Sequence, residues 1–190
     1  MNDEHPYTTS SQTVGPYLHI GMTWLVDETM AGPSVAGERV TLGGRMIDAD
    51  GLAVNDAMLE IWQANAHGKY AHPEDSRDLP VEPGFTGFGR VYTDKDGAFR
   101  VHTIKPGRVP GPDGTLQAPH LNVTIFMRGL LKHLITRVYF PGEPNDDDPV
   151  LRLVPVERRR TLIATPGEAR GTLTWNVVLQ GDDETVFFDY

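Results

Sequence analysis

A chain of 190 residues, 39% hydrophobic and 23% charged, has the length and composition of one globular domain with a real core. Its formal net charge of −9 leaves no basic excess to replace phosphate counterions, which excludes nucleic acid as a partner. Cysteine is absent, so disulfides and thiolate metal sites are excluded, and no apolar run approaches the ~20 residues of a membrane span.

The first residues, Met-Asn-Asp-Glu-His-Pro, carry neither a basic nor an apolar signal region, so a cytoplasmic protein is expected. Residues 1–38 show no sustained period and read as a long N-terminal arm; the domain proper is expected over 39–190. Val40–Ile47 alternates as a strand and closes on Asp48-Ala49-Asp50-Gly51. Ala57–Ala64 follows, with Met58, Glu60 and Trp62 on one face and Leu59, Ile61 and Gln63 on the other. Gly89–Thr93 and Ala98–Ile104 are expected to pair as a hairpin about Asp94-Lys95-Asp96-Gly97, the glycine supplying a positive φ. Leu121–Met127 and Leu134–Phe140 make another pair around Arg128-Gly129. Val156–Ala164 is a weak helix candidate, and Thr172–Leu179 and Thr185–Phe188 read as the last strands. The fold class this predicts is all-β: a β-sandwich of mixed-topology sheets with a long arm and irregular loops. The loops over 66–87, 105–120 and 141–150 are long enough to expect a functional wall or a partner surface.

Few motifs carry chemistry by themselves. Neither Asp-rich turn has the ligand count of a calcium loop. Glu143–Pro149 reads as a solvated acidic loop and Glu157–Arg160 as the end of a surface helix. The seven histidines lack both helical H-x-x-x-H spacing and an accompanying carboxylate set. There is no phosphate-binding loop, nucleophile elbow or dinucleotide fingerprint. His120 and Asn122 stand two apart at the head of an alternating strand, so both project from one face. Taken alone, His120 reads as a hydrogen-bonded core or interface histidine.

The stretch from Gln117 to Arg128, together with Ile61-Trp62-Gln63-Ala64-Asn65-Ala66-His67-Gly68-Lys69-Tyr70, resembles the intradiol ring-cleaving dioxygenases. The likeness continues through Gly43–Asp48 with Gly51, Phe88-Gly89-Arg90, Asp94–Arg100, Thr103–Gly107 and Leu134–Phe140. Ser11–Gly21 and Glu184–Tyr190 are similar to a subunit of that family that has lost its metal. Family members hold non-haem Fe(III) with two tyrosines and a His-x-His pair. By the resemblance, Tyr70 and His120 match two of those ligands, while Val109 and Asn122 occupy the other two positions. Gln117 stands where the iron-bearing chain has an arginine. The resemblance therefore implies an oxidoreductase subunit with no catalytic and no metal-binding residue of its own. Fe(III) would sit on a homologous beta subunit, within a hetero-oligomer of alpha–beta pairs. Gly15, Pro16, Tyr17 and Arg128 would line the substrate cavity, Arg128 facing the carboxylate of a small aromatic acid, since guanidinium is the best carboxylate partner. Two other readings stay open: a self-sufficient intradiol dioxygenase with a displaced ligand, Tyr92 or Tyr139, and a metal-free β-sandwich binding module.

Overall fold

A computed structural model describes residues 10–111 and 113–189. In chain order its strands begin with β1 (Arg39–Ile47), β2 (Met58–Trp62), β3 (Phe88–Tyr92), β4 (Ala98–Ile104), β5 (Val109–Pro110) and β6 (Leu116–Gln117). They continue with β7 (His120–Phe126), β8 (Leu134–Tyr139), β9 (Thr165–Pro166), β10 (Thr172–Thr174) and β11 (Val177–Val178). Alternation decides which faces meet. β1 turns Val40, Leu42 and Met46 inward and β4 turns Phe99 and Val101 inward. β1 runs antiparallel to β4 on one edge and parallel to β10 and then β11 on the other. The second sheet, ordered β3-β2-β7-β8, is antiparallel throughout. Its inward Leu59, Ile61, Leu121, Val123 and Ile125 pack on the first sheet to form the main core. Each of these fully buried side chains contributes about 2–3 kcal/mol. The all-β sandwich with a mixed sheet is therefore the fold of this chain.

Several local expectations change for identifiable reasons. The turn at Asp94 forms, with Gly97 at φ +72° and Ala98 N–H bonded to Asp94 Oδ1 at 2.9 Å. Its flanking strands do not pair, however: β3 joins β2 and β4 joins β1, so the turn is a corner between sheets rather than a hairpin. Both strands need an inward face, Val91 on one and Phe99 on the other, and only opposite sheets bury both. The expected strand Thr172–Leu179 breaks at Trp175-Asn176. There the Trp175 carbonyl approaches Gly44 so closely that a Cβ would lie 1.7 Å from it, and Asn176 Oδ1 accepts the Arg45 N–H at 3.0 Å in place of a backbone carbonyl. Thr185–Phe188 is no strand either. It bridges both sheets, accepting from Thr136 Oγ1 at Val186 O (2.7 Å) and donating from Thr185 N–H to Val178 O (2.9 Å). The weak helix candidate is a 3-10 helix, Val156–Leu162.

The arm also differs from a structureless piece. It contains a short helix, α1 (Tyr17–Met22), invisible to a core-stripe search because none of its residues is buried. Met30, Ala31 and Val35 are buried in this chain, whereas the part from Ser10 to Thr29 holds no buried residue. Tyr92 pins that part by donating its hydroxyl to Leu18 O at 2.5 Å. The acidic run is not wholly solvated: Asp148 has no exposed surface.

Candidate functional site

Strand register composes a rung across the outer face of the second sheet. Phe88 lies opposite Trp62, Trp62 opposite Asn122, and Asn122 opposite Arg137. His120, two residues before Asn122, lies opposite Tyr139 on the same face. Side chains on such adjacent strands stand roughly 5 Å apart at Cβ, so these groups form one cluster.

The Trp62–Tyr70 segment closes over this rung, and its polar residues explain why. Gln63 is fully buried and ties the sheets together: its Nε2 donates to Ile104 O (3.0 Å) and its Oε1 accepts from Thr103 Oγ1 (2.6 Å). Asn65 Oδ1 accepts the N–H groups of His67 and Lys69, each at 3.0 Å, and so shapes the turn that delivers Tyr70. Asp75 then accepts the Tyr70 N–H at 2.9 Å; the Arg77 guanidinium beside it holds its carboxyl well below the usual carboxylate range. Tyr70 stacks on Trp62, with ring centroids 5.8 Å apart and planes 10° from parallel, and lies beside Asn122. Burial raises its phenol pKa. Tyr70, Trp62 and Val109 share a cleft of about 600 Å³.

Beneath Tyr70 sits a residue that sequence reading overlooks, Arg137. Its guanidinium donates to Gln117 Oε1 at 2.7 Å, and its charge acts on Tyr70, His120 and Tyr139. Its buried Nε has no hydrogen-bond partner among the described residues. Pairing Leu121–Met127 with Leu134–Phe140 and counting across from Asn122 finds it, because the hairpin register puts residue 137 opposite 122.

His120 is buried, and its Nδ1 lies 2.8 Å from Ala118 O; a carbonyl only accepts, so Nδ1 carries a proton. Burial, assisted by the nearby Arg137 charge, pushes its pKa down to about 4. An unfolded histidine titrates near 6.5, so between those values only the unfolded chain binds this proton. The stability tied to neutral His120 is full above pH 6.5 and is lost as pH falls towards 4, about 3 kcal/mol in all. Urea midpoints measured from pH 7.5 to 4.5 should fall in the native chain and fall less in His120→Gln; parallel curves would refute the assignment.

A second cluster forms at the other end of β7. Arg128 pairs through Nε with Asp56 Oδ2. Val14, Gly15, Pro16 and Leu18 line with them a cleft of about 480 Å³. Thr13 Oγ1 accepts the Gly129 N–H at 2.7 Å, tying the arm to the turn that carries Arg128. Gly15, Pro16 and Arg128 are thus together, whereas Tyr17 lies outside this lining and is 77% exposed. The six steps from His120 to Phe126 separate the two clusters by roughly 20 Å.

A family model described as dioxygenase matches residues 23–181. The protocatechuate 3,4-dioxygenase alpha chain of Burkholderia cepacia is 46% identical, over 95% of this chain and 96% of that one. The beta chain of the same enzyme from that organism is 33% identical, over 97% of this chain and 81% of that one. Among solved structures, the dioxygenase domain of a carbohydrate-binding fusion from Streptomyces sp. SirexAA-E has the same fold, with a TM-score of 0.62 at 24% identity over 96% of both chains. With sequence likeness along nearly its whole length and a sandwich to match, this chain belongs to the intradiol dioxygenase family.

Proposed function

We propose that this chain is the non-catalytic alpha subunit of a protocatechuate 3,4-dioxygenase and completes the substrate pocket of a homologous, iron-bearing beta subunit. The assembled cytoplasmic enzyme cleaves 3,4-dihydroxybenzoate between its hydroxylated carbons with O2, giving 3-carboxy-cis,cis-muconate. One observation carries the reading: Arg128 and Gly15-Pro16 stand roughly 20 Å of strand from His120. Groups that far apart cannot wall one catechol-sized pocket, so the arm end serves an active site outside its own chain. Likeness to both chains of one enzyme supplies the partner. The exposed Tyr17, Ile20 and Trp24, each more than 70% accessible, offer the arm a face for it.

The family works with Fe(III), and the donors at the ancestral position do not fit that ion. Tyr70 and His120 keep a phenol and an imidazole, but Val109 has no lone pair and Asn122 is a neutral amide. The orphaned buried atom there, Arg137 Nε, is a donor and therefore invites an acceptor, not a cation. A displaced tyrosine ligand finds no support. Tyr92 gives its hydroxyl to Leu18 O, and Tyr139 gives its own to Asp148 Oδ1 at 3.0 Å, with burial pushing that phenol well above its ordinary range.

The role left to this chain is placement. Guanidinium at Arg128 meets the substrate carboxylate with charge-assisted hydrogen bonds, at the end of the ring away from the hydroxyls. Loss of such contacts costs about 1.5–3 kcal/mol. In the alpha–beta complex, Arg128→Ala should therefore raise KM for protocatechuate roughly 10- to 100-fold and leave catechol nearly unchanged. Equal effects on both substrates would remove the carboxylate role. Expressed alone, the chain should purify without stoichiometric iron or tyrosinate-to-iron colour; a ferric centre on the isolated chain would end the proposal.

A further inference from the structure

The carboxylate behind Arg128 has a geometry that gives it a function. β2 and β7 are antiparallel with Met58 opposite Phe126, and the same register carried two residues outward sets Asp56 opposite Arg128. Their ion pair uses Oδ2 on Asp56 and Nε on Arg128. The two partners are unequally placed: the Asp56 side chain is 18% exposed, that of Arg128 77%. The carboxylate is thus built into the wall while the guanidinium stands at the mouth of the cleft. With Nε committed, the edge formed by the two terminal nitrogens has no protein partner among the described residues. That edge is the one a planar carboxylate takes end-on, with two parallel N–H···O bonds. Gly129, next in the chain, is held by Thr13, so wall, guanidinium and arm are one unit.

We infer that Asp56 is a positioning residue for protocatechuate: it fixes the guanidinium of Arg128 by its inner edge and so aims the free edge at the substrate carboxylate. The inference rests on the reading of Arg128 given above. An exposed arginine otherwise samples many rotamers, and ordering it on binding weakens affinity by an amount comparable to one immobilised long side chain. Asp56 also repels a second carboxylate. That repulsion is the smaller effect, because the guanidinium lies between the two anions and the mouth of the cleft is screened by solvent.

Steady-state kinetics on the assembled alpha–beta complex test this with protocatechuate and catechol as paired substrates. Asp56→Asn should raise KM for protocatechuate about fivefold, leave kcat within about twofold and leave catechol unchanged. Asp56→Glu, which keeps the charge, should recover most of the loss. In the Arg128→Ala background, Asp56→Asn should add nothing, since its effect passes through the missing guanidinium. If Arg128→Ala is selective for the acid but Asp56→Asn leaves KM for protocatechuate unchanged or lowers it, the inference alone fails. A rise shared equally by both substrates would assign Asp56 a merely structural part and overturn it as well. If Arg128→Ala itself shows no selectivity, the reading of the arm cluster falls, and the role of Asp56 with it.

Discussion

Asp148→Ala should destabilise this chain by about 3–5 kcal/mol, the cost of breaking a buried charged network from one side. The residue has no exposed surface. Its Oδ2 accepts the Ala118 N–H at 2.8 Å, and its Oδ1 accepts from Val150 N–H (2.9 Å), Leu151 N–H (2.8 Å) and the Tyr139 hydroxyl (3.0 Å). Alanine would leave four buried donors without an acceptor, and each unsatisfied donor costs about 1–3 kcal/mol, with sharing and relaxation keeping the sum below simple addition. The damage would spread in a defined direction. Ala118 leads into β7 just ahead of His120, and Tyr139 closes the second hydrophobic cluster with Leu151, Val154 and Leu162. Asp148→Asn keeps one acceptor oxygen and should lose clearly less than alanine. Asp146→Ala, two residues away with a side chain 97% exposed, should leave the urea midpoint unchanged. Equal midpoints for Asp148→Ala and Asp146→Ala would show that the buried carboxylate does not organise the loop.

Asp148 also shows where sequence reading stops. Four acidic or amide residues in a row, Asn145 to Asp148, look alike, and nothing local says that one of them turns inward to cap two loops and a tyrosine. The sheets were legible because burial on one face leaves a period of two in β1, β2, β7 and β8, and a one-residue slip would expose every inward side chain. Partner choice was less legible. The Asp94 turn has the residues of a hairpin, yet β3 and β4 part because each is needed in a different sheet. The break at Trp175 depends on Gly44 lying across from it, a contact 131 residues away in the chain. At the site, His120 and Asn122 on one face followed from strand geometry alone. The meaning proposed for Val109 and Tyr70 came only through likeness to a family, since a valine in the two-residue strand β5 and a tyrosine beyond a turn carry no chemical signal of their own. Arg137 stayed hidden for another reason. A cation in mid-strand usually marks a solvated face; here it lies half-buried among Tyr70, His120, Gln117 and Tyr139.

That arginine decides the outcome of an attempt to build the metal centre that the proposed reading takes this chain to have lost. Restoring the two missing donors with Val109→Tyr and Asn122→His should not load the chain with iron, whereas adding Arg137→Gln should. Two phenolates leave a ferric ion with one net positive charge. Residue 137 stands directly opposite residue 122, so its guanidinium would lie on the order of 5 Å from an ion bound there. At an effective dielectric of about 20, two such charges repel by about 3 kcal/mol, or roughly two orders of magnitude in affinity. The arginine also holds Gln117, and a new imidazole at 122 would have to pack against its stem. Glutamine removes the charge and keeps an amide donor on a shorter side chain. Iron per chain and the tyrosinate-to-iron absorption band, measured after anaerobic loading and oxidation, separate the cases. Iron in the triple variant alone would mean that the subunit lost its metal twice over, by surrendering ligands and by placing its own cation beside the site. Stoichiometric iron in the double variant would reduce Arg137 to a bystander and leave the missing donors as the whole cause.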